Sequence, residues 1–330
     1  MKLEMAPKNI LISRTDSIGD VVLTLPICAW LKQQFPVCRI IFLGNTYTRP
    51  ILECFPVIDE IIEWKQLESL PINEQIQLIK ALNIDTCIHV FPRKEIAKLM
   101  KKAGVPHRIG TSHRLFHWLT CNIRPNFTRK DSDLHESQLN FKLLESLGMN
   151  TVPSLDEIRD LLSEFKAKEQ MLPIQLPEGK KVILHPKSQG SALEWPIEKY
   201  IQLAQQLADN GQTVYFTGTQ KEGDLFRDRL PKNTNIQDVS GKFSLSEFIT
   251  FISKCDAIVA CSTGPLHIGA VLGLKAIGIF SQTRPIHPGR WQPIGENVAV
   301  LTNMNESTEG KIQFDYIKAI EVSRVYAEIN

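Results

Sequence analysis

The chain has 330 residues, 43% of them hydrophobic and 22% charged, which excludes a disordered polymer and sets two domains of ordinary size as the expectation. Its 38 basic against 36 acidic residues leave a formal charge of +2, too little for wholesale nucleic-acid binding. Seven cysteines scattered without CxxC spacing exclude a disulfide framework and a zinc ribbon, and the longest apolar stretch, Val21 to Leu31, contains Pro26 and is too short to span a bilayer. Met1 to Asn9 lack the apolar core of a signal peptide, so the expected location is the cytoplasm.

Short β-rich runs alternate with amphipathic helical patterns, the grammar of parallel βαβ units, so the expected class is α/β. In the first half, strands are predicted near Asn9 to Ser13, Arg39 to Leu43, Ile58 to Ile62 and Thr86 to Val90. Helices are predicted at about Asp20 to Gln34, Tyr47 to Cys54, Asn73 to Leu82 and His135 to Leu147, the last stopped by Gly148. The polar stretch Asn150 to Lys180, with Pro153, Pro173 and Pro177, reads as a linker and divides the chain into domains at 1–165 and 166–330. Beyond it, strands are predicted at Val182 to His185, Thr213 to Thr217, Ala257 to Cys261 and Lys275 to Phe280. Helices are expected at Ile197 to Asn210, Glu222 to Leu230, Ser244 to Lys254 and from Pro265. A last helical pattern, Gln313 to Ile329, has no strand after it and is expected to cross back onto the first domain.

Four segments place functional groups beyond the carboxyl ends of predicted strands, where open α/β sheets bind ligands. In the first, Arg14 to Asp20, Gly19 permits a tight turn and puts Asp20 in the first turn of a helix, either as a proton acceptor for a sugar hydroxyl or as a mere cap. The second, His185 to Ser191, is a loop of small donors with one cation; Lys187 and Ser188 with exposed amides suit a diphosphate. The third, Ala260 to His267, is the strongest: Ser262, Thr263, Gly264, Pro265, Leu266 and His267 leave a strand for a helix whose free amides invite an anion. The fourth, Arg284 to Trp291, offers Arg284 and Arg290 for phosphate oxygens and a tryptophan for a sugar face. A broader feature is residues 93 to 130, where Arg93, Lys94 and further cations face a single acid, Glu95. That stretch is a local anion surface, suited to phosphorylated lipid or an acidic sugar if it is more than a solvated face.

Together these residues resemble the heptosyltransferases, glycosyltransferase family 9 of bacterial lipopolysaccharide core assembly, over nearly the whole chain. Arg14 with Gly19-Asp20 and Pro26 is similar to the amino-terminal motif of the family; His185-Pro186 with Trp195-Pro196 resembles the start of its donor domain; Thr263-Gly264-Pro265 with His267 resembles its donor-phosphate helix. The stretch from Asp238 to Gly241, followed by Leu245-Ser246-Glu247, matches the pattern that precedes that helix. The resemblance implies a GT-B architecture, two Rossmann-like domains with parallel sheets facing across a cleft, the first binding acceptor and the second donor. It implies Asp20 as catalytic base, Arg14, Ser17, Gly19, Arg93 and Lys94 on the acceptor side, and Glu222 as a ribose contact. The implied substrates are a nucleotide-sugar donor, ADP-heptose, and an anionic lipid-linked glycan. Transfer would invert the anomeric carbon without metal or other cofactor, with peripheral contact to the inner membrane through 93–130. Where the family commonly has a lysine two residues before Trp-Pro and an aspartate before Thr-Gly-Pro, this chain has Leu193 and Ser262, so Lys187, Arg284 and Arg290 are expected to neutralise the phosphates. Asp131-Ser132-Asp133 precedes a helix and reads as a solvated cap rather than a metal motif. No Gly-x-Gly-x-x-Gly follows a strand, which disfavours a nicotinamide enzyme. A sugar-nucleotide epimerase of the same architecture and a non-catalytic sugar-nucleotide-binding member are the remaining alternatives.

Overall fold

A computed structural model describes residues 6–130, 132–303 and 314–330. They form two compact units, Met1–Phe165 and Lys166–Asn330.

The first unit is built on five parallel strands, β1 (Asn9–Ser13), β2 (Arg39–Gly44), β3 (Glu60–Glu63), β4 (Thr86–His89) and β5 (His107–Ile109), in the order β3-β2-β1-β4-β5. Its helices are α1 (Ile18–Val22), α2 (Leu25–Gln34), α3 (Arg49–Glu53), α4 (Trp64–Glu68), α5 (Ile72–Ala81), α6 (Lys94–Lys102), α7 (Leu115–Thr120), α8 (Glu136–Phe141) and α9 (Leu155–Asp160). Central β1 pairs with both neighbours, Ile12 opposite Phe42 and Ile88. Both of its faces are covered, which is why Ile10, Leu11 and Ile12 run without polar alternation and are fully buried. The helix predicted from Asp20 to Gln34 is two helices, because Pro26 has no N–H to donate back to Val22. The helix predicted from His135 tightens after Phe141 into a 3-10 turn over Lys142–Leu147, and Gly148, at φ +101°, ends it in the left-handed region. The predicted linker is not structureless: Ser154 and Glu157 form a capping box that starts α9.

The second unit has six parallel strands, β6 (Lys181–His185), β7 (Thr213–Phe216), β8 (Ile236–Asp238), β9 (Ala257–Cys261), β10 (Lys275–Ile279) and β11 (Val298–Leu301), in the order β11-β10-β9-β6-β7-β8. Around them lie α10 (Ile197–Asp209), α11 (Gln220–Gly223), α12 (Leu245–Ser253), α13 (Gly264–Val271), α14 (Pro288–Trp291), α15 (Phe314–Lys318) and α16 (Val322–Ile329). Gly269 lets α13 lie close on the sheet, since a Cβ there would stand 2.5 Å from Cγ2 of Ile258 in β9.

The last helix, expected to reach the first domain, is anchored in the second unit. It packs on α10, burying Val322, Val325 and Ile329 in the core of the second unit. The turn before it is tied there by Trp195 Nε1 donating to the Ile320 carbonyl (3.0 Å), and its end by Lys180 Nζ donating to the Ile329 carbonyl (2.7 Å). The pattern also divides into α15 and α16, and its predicted first residue, Gln313, lies outside the described residues. Among the described residues no helix is long and apolar enough to cross a membrane. Every cysteine is a buried free thiol.

Candidate active site

In both sheets the strand order reverses beside a central strand, between β1 and β4 in the first unit and between β6 and β9 in the second. Such switch points leave a crevice beyond the carboxyl ends of the strands. The candidate segments leave β1, β6 and β9 at these two places.

At the first, Arg14 is 2% exposed and turned into its own unit. Nε donates to Asp16 Oδ1 (2.8 Å), Nη1 to Glu136 Oε1 (3.2 Å) and Asn140 Oδ1 (3.3 Å), and Nη2 to Asp20 Oδ1. Arg129 closes the network, donating to Glu136, to Asn140 Oδ1 (3.0 Å) and to the Val90 carbonyl just beyond β4 (3.2 Å). The carboxylates of Asp16, Asp20 and Glu136 thus share the guanidiniums of Arg14 and Arg129. Asn140 in turn donates to the Leu23 carbonyl (3.0 Å), locking α8 to the break between α1 and α2.

Asp20 sits in the first turn of α1, directly after Gly19, and the hydroxyl of Ser17 donates to its Oδ2. Its carboxylate is therefore held by side chains rather than spent on backbone capping. Each oxygen keeps lone-pair capacity for a further donor, and 17% of the side chain is exposed. Burial alone would lower the pKa of Arg14, but Asp16, Asp20 and Glu136 outweigh it and raise it above its ordinary value, so the guanidinium stays charged. The carboxyl of Asp16 is pushed up to about 6, first by burial and then by Asp20, with Arg14 pulling the other way. Arg93 caps the start of α6 with its guanidinium over the Trp64 ring (5.5 Å), and Lys94 beside it is exposed. Arg14 was expected to touch an acceptor, yet all three of its guanidinium nitrogens donate to the protein's own oxygens. Its place is behind Asp20.

At the second switch point, Lys187 Nζ pairs with Glu194 Oε2 (2.8 Å), and Ser188 donates to Glu194 Oε1 through its amide (2.9 Å) and hydroxyl (3.1 Å). Glu194 thus ties the loop together through Lys187 and Ser188. Glu222 is mostly buried in a capping box, its Oε2 accepting from the amide (2.7 Å) and hydroxyl (2.9 Å) of Thr219. Burial lowers the pKa of His185 to about 4 in spite of Glu222 and Glu194, so it is neutral where its Nδ1 meets Thr217 Oγ1 at 2.9 Å. Leu193, where a lysine was expected, packs against the apolar core.

The turn from β9 into α13 carries a buried hydroxyl with no partner among the described residues. Thr263 is the N-cap in extended conformation, but its side chain caps nothing, and its Oγ1 is buried with no hydrogen-bond partner among the described residues. Gly264 and Pro265 form the first turn, and Leu266 and His267 follow it into the core, while Ser262 stays half-exposed. The amides that open α13 therefore have no side-chain cap, the arrangement in which a helix start has hydrogen-bond donors to spare. After neighbouring β10, Arg284 is exposed and Arg290 lies over the Trp291 ring (5.0 Å), whose Nε1 donates to the Pro285 carbonyl (2.9 Å). Trp291 is half-buried rather than exposed. Asp131 lies outside the described residues, and among those described no group of His, Cys, Asp or Glu could hold a metal ion.

The model of glycosyltransferase family 9 (heptosyltransferase) matches residues 78–317, well over half of the chain. The chain belongs to that family. It is a glycosyltransferase of the heptosyltransferase kind, and membership supports transfer over the epimerase reading. The lipopolysaccharide core heptosyltransferase OpsX of Haemophilus influenzae is 23% identical over 320 residues, covering 93% of this chain and 88% of the relative. The solved structure of Escherichia coli ADP-heptose lps heptosyltransferase II is 19% identical with a TM-score of 0.76, covering 98% of this chain and 97% of the other. That of E. coli heptosyltransferase WaaC with ADP is 18% identical with a TM-score of 0.73, covering 97% and 98%. At such identities these structures speak for the fold, the two-domain GT-B architecture.

Sequence reasoning missed Asp16, Arg129, Glu136 and Asn140. The available signal was Glu136 and Asn140, polar residues one helical turn apart on a side of α8 that Leu139 and Phe141 mark as buried.

Proposed function

We propose that this heptosyltransferase takes ADP-heptose as donor and an anionic lipid-linked core glycan as acceptor, inverting the anomeric carbon without a metal. The acceptor binds Met1–Phe165 and the donor binds Lys166–Asn330. The observation that carries the reading is the carboxylate of Asp20, held by Arg14 and Ser17 beyond the central strand of the first sheet. Asp20 takes the proton of an acceptor hydroxyl as that oxygen attacks the anomeric carbon from the face opposite the diphosphate. The bond from the anomeric carbon to the phosphate oxygen breaks, and ADP leaves with the electron pair. Its charge is met by the amides at the start of α13, the hydroxyl of Thr263, and Lys187, Arg284 and Arg290. Lys187 reaches the phosphates by leaving Glu194, and Glu222 lies near the ribose. E. coli heptosyltransferase WaaC is solved with ADP and with ADP-2-deoxy-2-fluoro heptose, which supports that donor.

The direct test is incubation with ADP-heptose in the presence and absence of a core acceptor, following ADP release and the anomeric configuration of the product. Acceptor-dependent release with inversion is expected. Release of altered sugar without acceptor, or no turnover of any nucleotide sugar, would reject the reading.

The start of α13 carries its own prediction. Because Thr263 Oγ1 has no hydrogen-bond partner among the described residues, Thr263→Val removes none of the hydrogen bonds described there and is expected to leave stability unchanged or slightly raised. A hydrogen bond to a phosphate oxygen would go with it, so ADP affinity measured by calorimetry should fall roughly ten- to hundredfold. Unchanged ADP affinity would remove Thr263 from the donor site.

A further inference from the structure

The short helix α7 is amphipathic in the wrong sense for a protein surrounded only by water. His117 and Thr120 point inward and are buried, whereas Leu115, Trp118 and Leu119 are 86%, 59% and 73% exposed. At i, i+3 and i+4 those three share one face. The face is fixed rather than loose: Trp118 Nε1 donates to the Ser112 carbonyl (2.9 Å), and His117 Nδ1 lies 2.9 Å from the Thr111 carbonyl.

Cations gather at the same end of the helix. Lys101 Nζ donates to the Leu119 carbonyl (2.7 Å), Arg108 Nε to the Thr120 carbonyl (2.7 Å) and Arg124 to the Cys121 carbonyl. The Arg124 guanidinium also lies over the Trp118 ring at 4.7 Å. Part of this is ordinary satisfaction of helix-end carbonyls. That need does not explain why Lys94, Lys98 and Lys102 line the exposed side of the adjoining α6, where Glu95 is the single acid. Exposed leucines and an indole ringed by long cations form the pattern of an interfacial anchor: the apolar tips enter the acyl boundary, the indole sits at headgroup depth, and the cations meet lipid phosphates.

We infer that α7 is a membrane-anchoring tip that docks the first unit on an anionic bilayer through Leu115, Trp118 and Leu119, with Lys101, Arg108 and Arg124 on the headgroups. Its use rests on the proposed lipid-linked acceptor, since a catalyst held at the bilayer meets such an acceptor in two dimensions. The anchor itself does not depend on the donor or the chemistry.

The test uses the full chain and vesicles without acceptor, so its outcome is separate from that of the transfer assay. Flotation should show binding to phosphatidylglycerol–phosphatidylethanolamine vesicles, weakened by salt, and little binding to phosphatidylcholine. Brominated acyl chains should quench tryptophan emission of the bound protein. Trp118→Phe should still bind while losing most of that quenching. Leu115→Ser with Leu119→Ser should weaken vesicle binding by roughly tenfold or more and leave transfer to a water-soluble acceptor fragment unchanged. Quenching that survives Trp118→Phe, or equal binding by the double serine variant, would overturn the inference. So would a wild-type dimer that ignores vesicles and that the serine substitutions split, because the face would then belong to a second copy of the chain.

Discussion

Asp20→Asn is expected to lower kcat by roughly a hundredfold to ten-thousandfold, the range a positioned general base supplies, while ADP affinity stays within experimental error. The amide keeps the size of the side chain; its oxygen can still accept from Arg14 while its NH2 donates to the Ser17 hydroxyl oxygen on the other side, so the loss reports proton acceptance rather than collapse of the loop. A variant with wild-type kcat would remove Asp20 as the base. Its neighbour supplies a companion pH dependence. As pH falls through about 6, Asp16 takes up a proton, and Arg14 Nε loses its charged acceptor, which loosens the guanidinium that holds Asp20. kcat/KM should step down there, and Asp16→Asn should abolish that step by lying near the lower level throughout. The stability effect has the opposite sign. Because the folded pKa of Asp16 lies above its ordinary 3.8, its contribution to stability is full below 3.8 and lost as pH rises through about 6. Asp16→Asn should therefore be neutral or stabilising at pH 8 even though it is slower, a combination that a damaged fold does not produce.

The split between what was legible in the sequence and what was not follows burial. The central strands β1, β6 and β9 are covered on both faces and therefore appear as continuous apolar runs bounded by turn residues, which places their ends within a residue. The strands that escaped, β5, β8 and β11, lie at sheet edges, are three or four residues long and are only partly buried. They owe their conformation to pairing with a neighbour rather than to their own pattern. The candidate site divides in the same way. Local motifs at Gly19-Asp20 and Thr263-Gly264-Pro265 are readable because turn geometry and capping write themselves in consecutive residues. The network behind Asp20 is not, since Glu136 and Asn140 lie on a helix far along the chain and meet Arg14 only after β1 and α8 have packed. Lys187 could be read as a cation in a donor loop, but its pairing with Glu194 depends on how that loop folds back.

The network behind Asp20 leads to the second large effect, in which Arg14→Met is expected to destabilise the first unit by about 3–5 kcal/mol, the usual result of removing one partner from a buried ion cluster. The side chains of Arg14 and Glu136 are 3% and 2% exposed, so water cannot replace the lost guanidinium. Asp16 and Asp20 would then lose the guanidinium they share while Glu136 keeps Arg129, and the crowded carboxylates can relieve their repulsion only by binding protons. The loss should consequently be largest at alkaline pH and shrink as the medium is acidified, which urea unfolding at several pH values would measure. Arg14→Lys should recover only part of it, because a single ammonium lacks the planar fork that reaches Asp16 on one edge and Asp20 and Glu136 on the other. Adding Glu136→Gln to Arg14→Met removes one stranded charge and should restore stability relative to Arg14→Met alone, a coupling within the range seen for residues that share a network. In the folded fraction of Arg14→Met, kcat should fall far more than the acceptor KM rises, since Arg14 holds the base and faces away from the ligand. A loss below about 1 kcal/mol at pH 8, comparable to an exposed pair, would mean that these carboxylates are solvated and that Arg14 does not hold Asp20 in place.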